Sequence, residues 1–179
     1  MLKCPWAYLS LEMEKYHDME WGKPLYDERA LFELLCLEQM QAGLSWQIVL
    51  KKRTAFKEAL ANFEVARLAK FEDKDIELLL ANPGIIRNRR KLAAIITNAK
   101  VILDNDFSLG NFCWNYVDGK PIINHWTNIE EVPAQTELAK SIARDLKKLG
   151  FKFVGPTTIY SFLQASGIVN DHLESCPCK

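Results

Sequence analysis

A helical spacing of apolar residues, repeated along most of the chain, is the feature that most constrains its fold. In residues 28–42, ERALFELLCLEQMQA, four apolar side chains and Glu38 fall on one face, whereas Glu33 and Gln39 fall on others. Few runs alternate with period two. We therefore expect an all-α protein, with further helices at about 46–61, 73–81, 88–104, 108–117, 136–150 and 156–166.

Turn and capping residues divide these helices from one another. Gly43 is expected to end the first long helix, and Ser45 is expected to cap the next. Residues 118–133 contain one glycine and two prolines and are predicted to form a long loop. The chain of 179 residues contains no repeat and no linker composition, so we expect one domain over residues 1–179.

Composition excludes several classes of protein. No apolar run approaches the roughly 20 residues that a bilayer-spanning helix needs. The first 18 residues lack a signal-peptide pattern, so we expect a cytoplasmic protein. Five cysteines, an odd number, argue against a disulfide framework. The formal net charge is zero, so contacts with nucleic acid would require a local basic face.

Two pairs of cysteine and histidine lie near the ends of the chain. His172 and Cys176 are four residues apart and would share a face of a helical turn. Cys4 and His17 form the second pair, and the four residues make the Cys₂His₂ set that zinc prefers. The alternative is unbound thiols and histidines that hydrogen-bond locally. Cys178 is a rival ligand to Cys176.

Glu38 lies on the apolar face of its helix, where a carboxylate is costly unless it is paired or functional. An ion pair with arginine, or a helix end that reaches water, would also explain it. Aromatic residues occur before and after it in the sequence, and with one carboxylate they would suit a flat, cationic, nitrogen-rich ligand. Ordinary packing is the alternative for these aromatic residues, which are Trp6, Tyr16, Trp21 and Trp46.

A basic segment follows the predicted turn NPG at 82–84. The helix that begins there carries RNRRK at 87–91, and its N-terminal amides could meet a phosphate group. A helix-hairpin-helix module over about 73–104 would grip a DNA backbone in this way without reading its sequence. An ordinary αα-hairpin is the alternative.

Several long motifs, in order, give the chain a resemblance to one family. They are CPW at 4–6, YHDMEWG at 16–22, LFELLCLEQMQAGLSWQIVLKKR at 31–53, GIIRNRRKL at 84–92 and FKFVGPTTIYSFLQASGIVNDH at 151–172. With these motifs the chain resembles the bacterial 3-methyladenine DNA glycosylase I family of the helix-hairpin-helix superfamily. The resemblance implies excision of 3-methyladenine from alkylated double-stranded DNA by a monofunctional enzyme. It also implies one structural zinc ion that clamps the termini, about 1–25 and 168–179.

The resemblance further implies roles for particular residues. Glu38 would contact the flipped base as the catalytic residue, Leu44 would fill the gap left in the duplex, and Gly84 would belong to the DNA-binding hairpin. Met13 replaces a tyrosine that family members often carry. The remaining implied residues are Tyr16, Trp46, Trp6 and Trp21 for the base, and Cys4, His17, His172 and Cys176 for zinc. Arg87 and Arg89 are the candidates for DNA because of their charge at the start of the hairpin helix.

Two other classes of function remain for comparison. A non-catalytic helix-hairpin-helix DNA-binding module would explain the basic hairpin but would have no use for Glu38 and the aromatic residues. A metalloenzyme with catalytic zinc would need an open coordination position, which four protein ligands would close. For the enzyme we expect a monomer that requires no protein partner and does not bind membranes.

Overall fold

The protein is described by a computed structural model over residues 2–179. Helices predominate in this range, and none is long and apolar enough to cross a membrane. The α-helices are α1 (Leu11–Met19), α2 (Glu28–Gln41), α3 (Trp46–Ala59), α4 (Val65–Leu68), α5 (Asp73–Ala81), α6 (Arg89–Asp104), α7 (Leu109–Asn115), α8 (Glu137–Lys148) and α9 (Pro156–Ala165). Short 3₁₀ turns lie at Pro5–Leu9, Ala61–Phe63 and Ile129–Glu131.

Helix α2 lies at the centre of the molecule. Every residue from 31 to 40 is buried, including the polar ones. Leu31 and Leu35 pack in a cluster with apolar residues of α7, α8 and α9. Phe32, Leu37 and Met40 pack in a second cluster with apolar residues of α3, α5 and α6. Burial on all sides explains why the prediction that Glu33 and Gln39 lie off the buried face was wrong.

The predicted helices are confirmed, and their ends lie within two residues of the expected positions. Ser45 lies at the N-cap position of α3, as predicted, but its side chain makes no capping hydrogen bond. The segment 118–133 is not entirely loop. It contains β1 (Ile122–Ile123), which pairs in parallel with β2 (Val169–Asn170), and the third 3₁₀ turn. A sheet formed by two-residue strands has too short an alternation to detect in sequence.

The segment after α1 packs against the C-terminal end of α9. The Leu25 amide donates to the Ser166 carbonyl over 3.0 Å, and Gly167 closes the helix with φ of +67°. A Cβ atom at Gly167 would lie 2.1 Å from the carbonyl carbon of Lys23, so only glycine fits there. This contact brings the N-terminal and C-terminal segments of the chain side by side.

Helices α5 and α6 follow one another as an αα-hairpin, and lysine side chains brace its turn and the start of α6. Lys52 of α3 donates to the carbonyls of Pro83 and Gly84 in the turn, over 3.1 and 3.0 Å. Lys91 of α6 is buried and donates to the carbonyls of Met40 and Ala42, over 2.9 and 2.5 Å. The start of α6 is therefore fastened to the C-terminal end of α2.

Candidate functional site

A cavity of about 510 Å³ opens where the C-terminal half of α2 meets α1, α3 and α9. Its lining contains one carboxylate, Glu38, and no lysine or arginine. Every residue predicted to hold the base lines it, as does Met13. The lining residues are Trp6, Leu9, Met13, Tyr16, Trp21, Glu38, Gln41, Trp46, Ile129, Val132, Pro133, Ala134, Thr157, Tyr160, Ser161 and Gln164.

The Glu38 carboxyl group has no ion pair or hydrogen bond within residues 2–179, although only 5% of the residue is exposed. Burial raises its pKa to about 8. The arginine that could have paired with it, Arg53, instead binds Glu20 and Glu33, over 2.7 and 2.6 Å. No ion pair therefore explains Glu38, and its carboxyl group is available to a ligand in the cavity.

Aromatic rings form the walls on either side of this carboxyl group. The rings of Tyr16 and Trp46 lie 5.3 Å apart between centroids, and those of Trp6 and Trp21 lie 5.0 Å apart. The Tyr16 hydroxyl and the Trp46 indole nitrogen are buried without a hydrogen-bond partner inside residues 2–179. Burial also raises the pKa of Tyr16, so its hydroxyl keeps its proton. The cavity thus offers π-faces, two donors and one carboxyl group to a flat ligand.

The four predicted metal ligands lie together in a buried cluster. Their ligand atoms are Cys4 Sγ, His17 Nε2, His172 Nδ1 and Cys176 Sγ, all within 4.8 Å of one another. The three sulfur–nitrogen distances are 3.7 Å from Cys4 to His172, 3.4 Å from Cys176 to His17 and 3.4 Å from Cys176 to His172. Tetrahedral bonds of about 2.3 Å to sulfur and 2.0–2.1 Å to nitrogen place such atoms about 3.6 Å apart. The residues present therefore fit a zinc ion.

Each histidine of the cluster is oriented by a hydrogen bond from its other ring nitrogen. His172 Nε2 donates to the Trp21 carbonyl over 3.0 Å, and His17 Nδ1 contacts Asp18 Oδ1 over 2.8 Å. These contacts leave the inward nitrogens of both rings as acceptors, which is the arrangement that metal-binding histidines use. Burial raises the pKa of Cys4 to about 12, so its thiol would have to give up a proton to bind a metal ion.

The cluster does not depend on a helical turn. The prediction that His172 and Cys176 share a helix face was wrong, because residues 171–178 form irregular structure and turns. The Cys176 amide donates to the Leu173 carbonyl over 2.9 Å, and this turn brings the sulfur back toward His172. Cys178 lies beside the cluster, with its sulfur 3.6 Å from Asp18 Oδ1, in a second group that shares His17.

The residues predicted to contact DNA lie at the ends of α2 and α6. Leu44 is 39% exposed in a turn closed by a bond from Gln41 Nε2 to the Leu44 carbonyl, over 2.8 Å. Gly84 lies in the hairpin turn, Arg87 is exposed, and Arg89 forms an ion pair with Glu77 of α5. Lys91, which joins α6 to the end of α2, lies between these two groups in the fold.

Sequence reasoning missed one wall of the cavity. Thr157, Tyr160, Ser161 and Gln164 of α9 line it together with the segment around 129–134. Periodicity shows which residues of α9 are apolar, but it does not reveal which other helix its polar side faces. The aromatic residues of the opposite wall were found because Trp46 lies close to Glu38 in sequence and the others cluster in the N-terminal segment.

Comparison with known proteins places the chain among methyladenine glycosylases. The family model described as methyladenine glycosylase matches residues 6–179. A DNA-3-methyladenine glycosylase of Haemophilus influenzae is 46% identical over 99% of this chain and 97% of its own length. A crystal structure of 3-methyladenine DNA glycosylase I superposes with a TM-score of 0.96, at 46% identity and 99% coverage of both chains. A crystal structure of a 3-methyladenine DNA glycosylase I variant in complex with 3-methyladenine superposes with a TM-score of 0.95. It is 40% identical and covers 100% of this chain and 98% of the other.

The raised pKa of Glu38 predicts a specific dependence of stability on pH. The folded protein holds the Glu38 proton up to about pH 8, whereas the unfolded chain releases it near 4.5. This group therefore stabilises the fold fully below pH 4.5, and the contribution is lost as pH rises toward 8. Relative to Glu38→Gln, the free energy of unfolding of the wild type should fall by up to about 1.4 kcal/mol per pH unit across this range. Urea unfolding of both proteins at pH values from 5 to 8.5 checks this expectation. A difference in free energy of unfolding between the two proteins that stays constant across this range would contradict the raised pKa of Glu38.

Proposed function

Because the chain belongs to the methyladenine glycosylase family, we propose that it removes 3-methyladenine from alkylated DNA by hydrolysing the N-glycosidic bond. The observation that carries this conclusion is the unpaired, buried Glu38 carboxyl group among aromatic rings. A DNA-binding module without chemistry would have no need for that costly arrangement.

The cavity fits one extruded base rather than a stretch of duplex. A base within a duplex is inaccessible to the enzyme, so it must rotate out of the stack at a cost of a few kcal/mol. The ring faces of Tyr16 and Trp46 would recover part of that cost, because a cation over an aromatic ring gains roughly 0.5–2 kcal/mol. Adenine methylated at N3 carries a positive charge in DNA, whereas normal adenine does not.

Glu38 would recognise this charged base from its edge. Entry of a cation beside the buried carboxyl group favours its ionised form, so the pKa of Glu38 would fall when the base binds. The resulting carboxylate would accept a hydrogen bond from the exocyclic amine and oppose the positive charge. The methylated base is already a good leaving group, so recognition contributes more than acid catalysis.

The composition of the cavity wall supports simple hydrolysis. No lysine lines the cavity, so no amine is available to form a Schiff base with the sugar. Asp18 is held by Lys3 and His17, and Glu20 is held by Arg53, so neither carboxylate is available to activate water there. We propose that water attacks the sugar carbon as the C–N bond breaks.

The buried Cys₂His₂ cluster would hold one structural zinc ion. Bound there, zinc would cross-link the segment at Cys4 and His17 to the segment at His172 and Cys176. Four protein ligands leave no position for a reacting water molecule, which argues against catalytic zinc. The aromatic rings of Trp6 and Trp21 contact the cluster, and the ring centroids of Trp21 and His172 lie 4.6 Å apart. Both tryptophan rings also line the cavity.

We further propose that a single domain binds double-stranded DNA as a cytoplasmic monomer, through the helix-hairpin-helix element at about 73–104. Arg87 and Arg89 would contact phosphate groups near the hairpin turn at Gly84. Leu44 would occupy the space that the flipped base leaves. The support is the position of the hairpin, which Lys91 fastens to the end of α2 beside the Leu44 turn.

Base release tests the proposed reaction directly. Wild-type protein incubated with methylated duplex DNA should release 3-methyladenine, resolved by chromatography of the free bases. Glu38→Gln should slow release by about 100-fold or more, because it removes the charge that opposes the cationic base. DNA affinity of the variant should change by less than about threefold, since Glu38 lies inside the cavity. Equal losses of affinity and release would contradict this role, and an inactive, folded wild type would contradict the function.

Metal analysis tests the proposed zinc site. The wild type should contain about one zinc ion per chain, and Cys176→Ser should lose it together with roughly 10 °C of melting temperature. Cys178→Ser is the matched control, because Cys178 lies outside the Cys₂His₂ cluster, and it should keep both the metal and the stability. Equal zinc loss in the two variants would contradict the ligand assignment.

The salt dependence of DNA binding tests the hairpin. Arg87→Ala should weaken binding to every duplex sequence and reduce the slope of log affinity against log salt by about one unit. Arg29→Ala is the control, since Arg29 is exposed at the opposite end of α2, about 15–20 Å from the Leu44 turn. If both variants change the slope equally, the hairpin is not the phosphate-binding element.

A further inference from the structure

Asp171 is a buried carboxylate that the proposed reaction does not use. It is 1% exposed, and no ion pair reaches it within residues 2–179. Four uncharged donors converge on it instead: Asn124 Nδ2 and Trp126 Nε1 bind Oδ1, each over 2.7 Å, while Tyr160 Oη and Gln164 Nε2 bind Oδ2, over 2.5 and 2.7 Å.

Two of these donors belong to the cavity wall and two do not. Tyr160 and Gln164 line the cavity from α9, whereas Asn124 and Trp126 follow β1 and lie outside the lining. Asp171 therefore connects the end of β2 to the wall that faces Glu38. Its position immediately after β2 is set by the pairing of Ile123 with Asn170.

The contact with Asp171 determines which way the Gln164 amide points. A carboxylate surrounded by donors can only accept, so the Gln164 NH₂ group must face it. The carbonyl oxygen, Oε1, is the end of the amide that has no hydrogen bond within residues 2–179. An amide fixed in this way offers an acceptor to the cavity and cannot turn to offer a donor.

We infer that Gln164 is a specificity-determining residue whose oxygen accepts a hydrogen bond from the amino group of the flipped base, and that Asp171 is the positioning residue that holds it. The inference rests on the proposed function and deepens it. An amino group at position 6 of a methylated purine would meet an acceptor, whereas the oxygen at that position in a methylated guanine would face another oxygen.

Glu38 alone would not make this distinction. Because burial raises its pKa to about 8, its carboxyl group can donate a hydrogen bond near neutral pH as well as accept one when ionised. An uncharged 6-oxo purine, such as free 3-methylguanine, could therefore be accommodated by a protonated Glu38. The fixed Gln164 amide has no such second state, so rejection of the 6-oxo group would fall to Gln164. Leaving an acceptor facing an acceptor is costly in a buried site.

Binding of the free bases tests this inference separately from catalysis. Tryptophan fluorescence would give the dissociation constants of 3-methyladenine and 3-methylguanine for folded wild type, Gln164→Leu, Asp171→Asn and Asn124→Ala. Gln164→Leu should weaken 3-methyladenine by about tenfold, the value of one hydrogen bond, and should strengthen 3-methylguanine, because the oxygen that opposes its 6-oxo group is removed. Asn124→Ala removes a donor from Asp171 outside the cavity and should alter neither constant.

The double variant separates positioning from general structural damage. In the wild-type background, Asp171→Asn should lower the preference for 3-methyladenine over 3-methylguanine. In the Gln164→Leu background it should lower that preference no further, because both changes act through one amide. An unchanged preference in Gln164→Leu, or a loss in Asn124→Ala of the same size, would overturn the inference. If the wild type releases 3-methyladenine but Gln164→Leu keeps the full preference for 3-methyladenine over 3-methylguanine, the proposed function stands. Only the role of Gln164 in specificity is then removed.

Discussion

Burial of α2 on all sides is the constraint on which the rest of the structure depends. One side of the helix packs against α7, α8 and α9, and the other packs against α3, α5 and α6. A helix in this position can carry a polar residue only where a partner or a cavity receives it. Glu33 has Arg53 and Lys57, and Gln39 has the Lys152 carbonyl, whereas Glu38 has the cavity. The Glu38 carboxyl group is therefore held by a helix that cannot shift without disturbing both clusters.

The two ends of the chain complete the site around this helix. Trp6, Tyr16 and Trp21 come from the N-terminal segment, and the wall of α9 continues through β2 into Asp171 and His172. Parallel pairing of β1 with β2 and the close packing at Gly167 hold these segments together in the fold. A zinc ion in the Cys₂His₂ cluster would add a cross-link at the same place, on the side of the aromatic rings away from Glu38. In this arrangement a bound metal would support the cavity wall and would take no part in the reaction.

The fold and half of the cavity could be predicted from sequence because their signals are local. Helical spacing locates the seven predicted helices to within two residues, although α1 and α4 were not predicted. Glu38 is conspicuous as a carboxylate on an apolar face. The members of the buried Cys₂His₂ cluster could be chosen by residue type, although the reason given for His172 and Cys176 was wrong, since a turn and not a helix joins them. Gln164 and Asp171 could not be predicted, because their importance comes from a contact between α9 and the end of β2. No local pattern marks such a contact.

The most direct test of this account is the ionisation of Glu38 itself. Carbon-13 NMR of the glutamate side-chain carboxyl carbons, with Glu38→Gln to identify the signal, would follow its titration without and with a cationic methylated purine. The account predicts a pKa near 8 in the empty cavity and a carboxylate at neutral pH once the cation binds. A carboxyl group that already titrates near its ordinary value of 4.5 in the empty protein would contradict the central claim that an unpaired, buried Glu38 recognises the charged base.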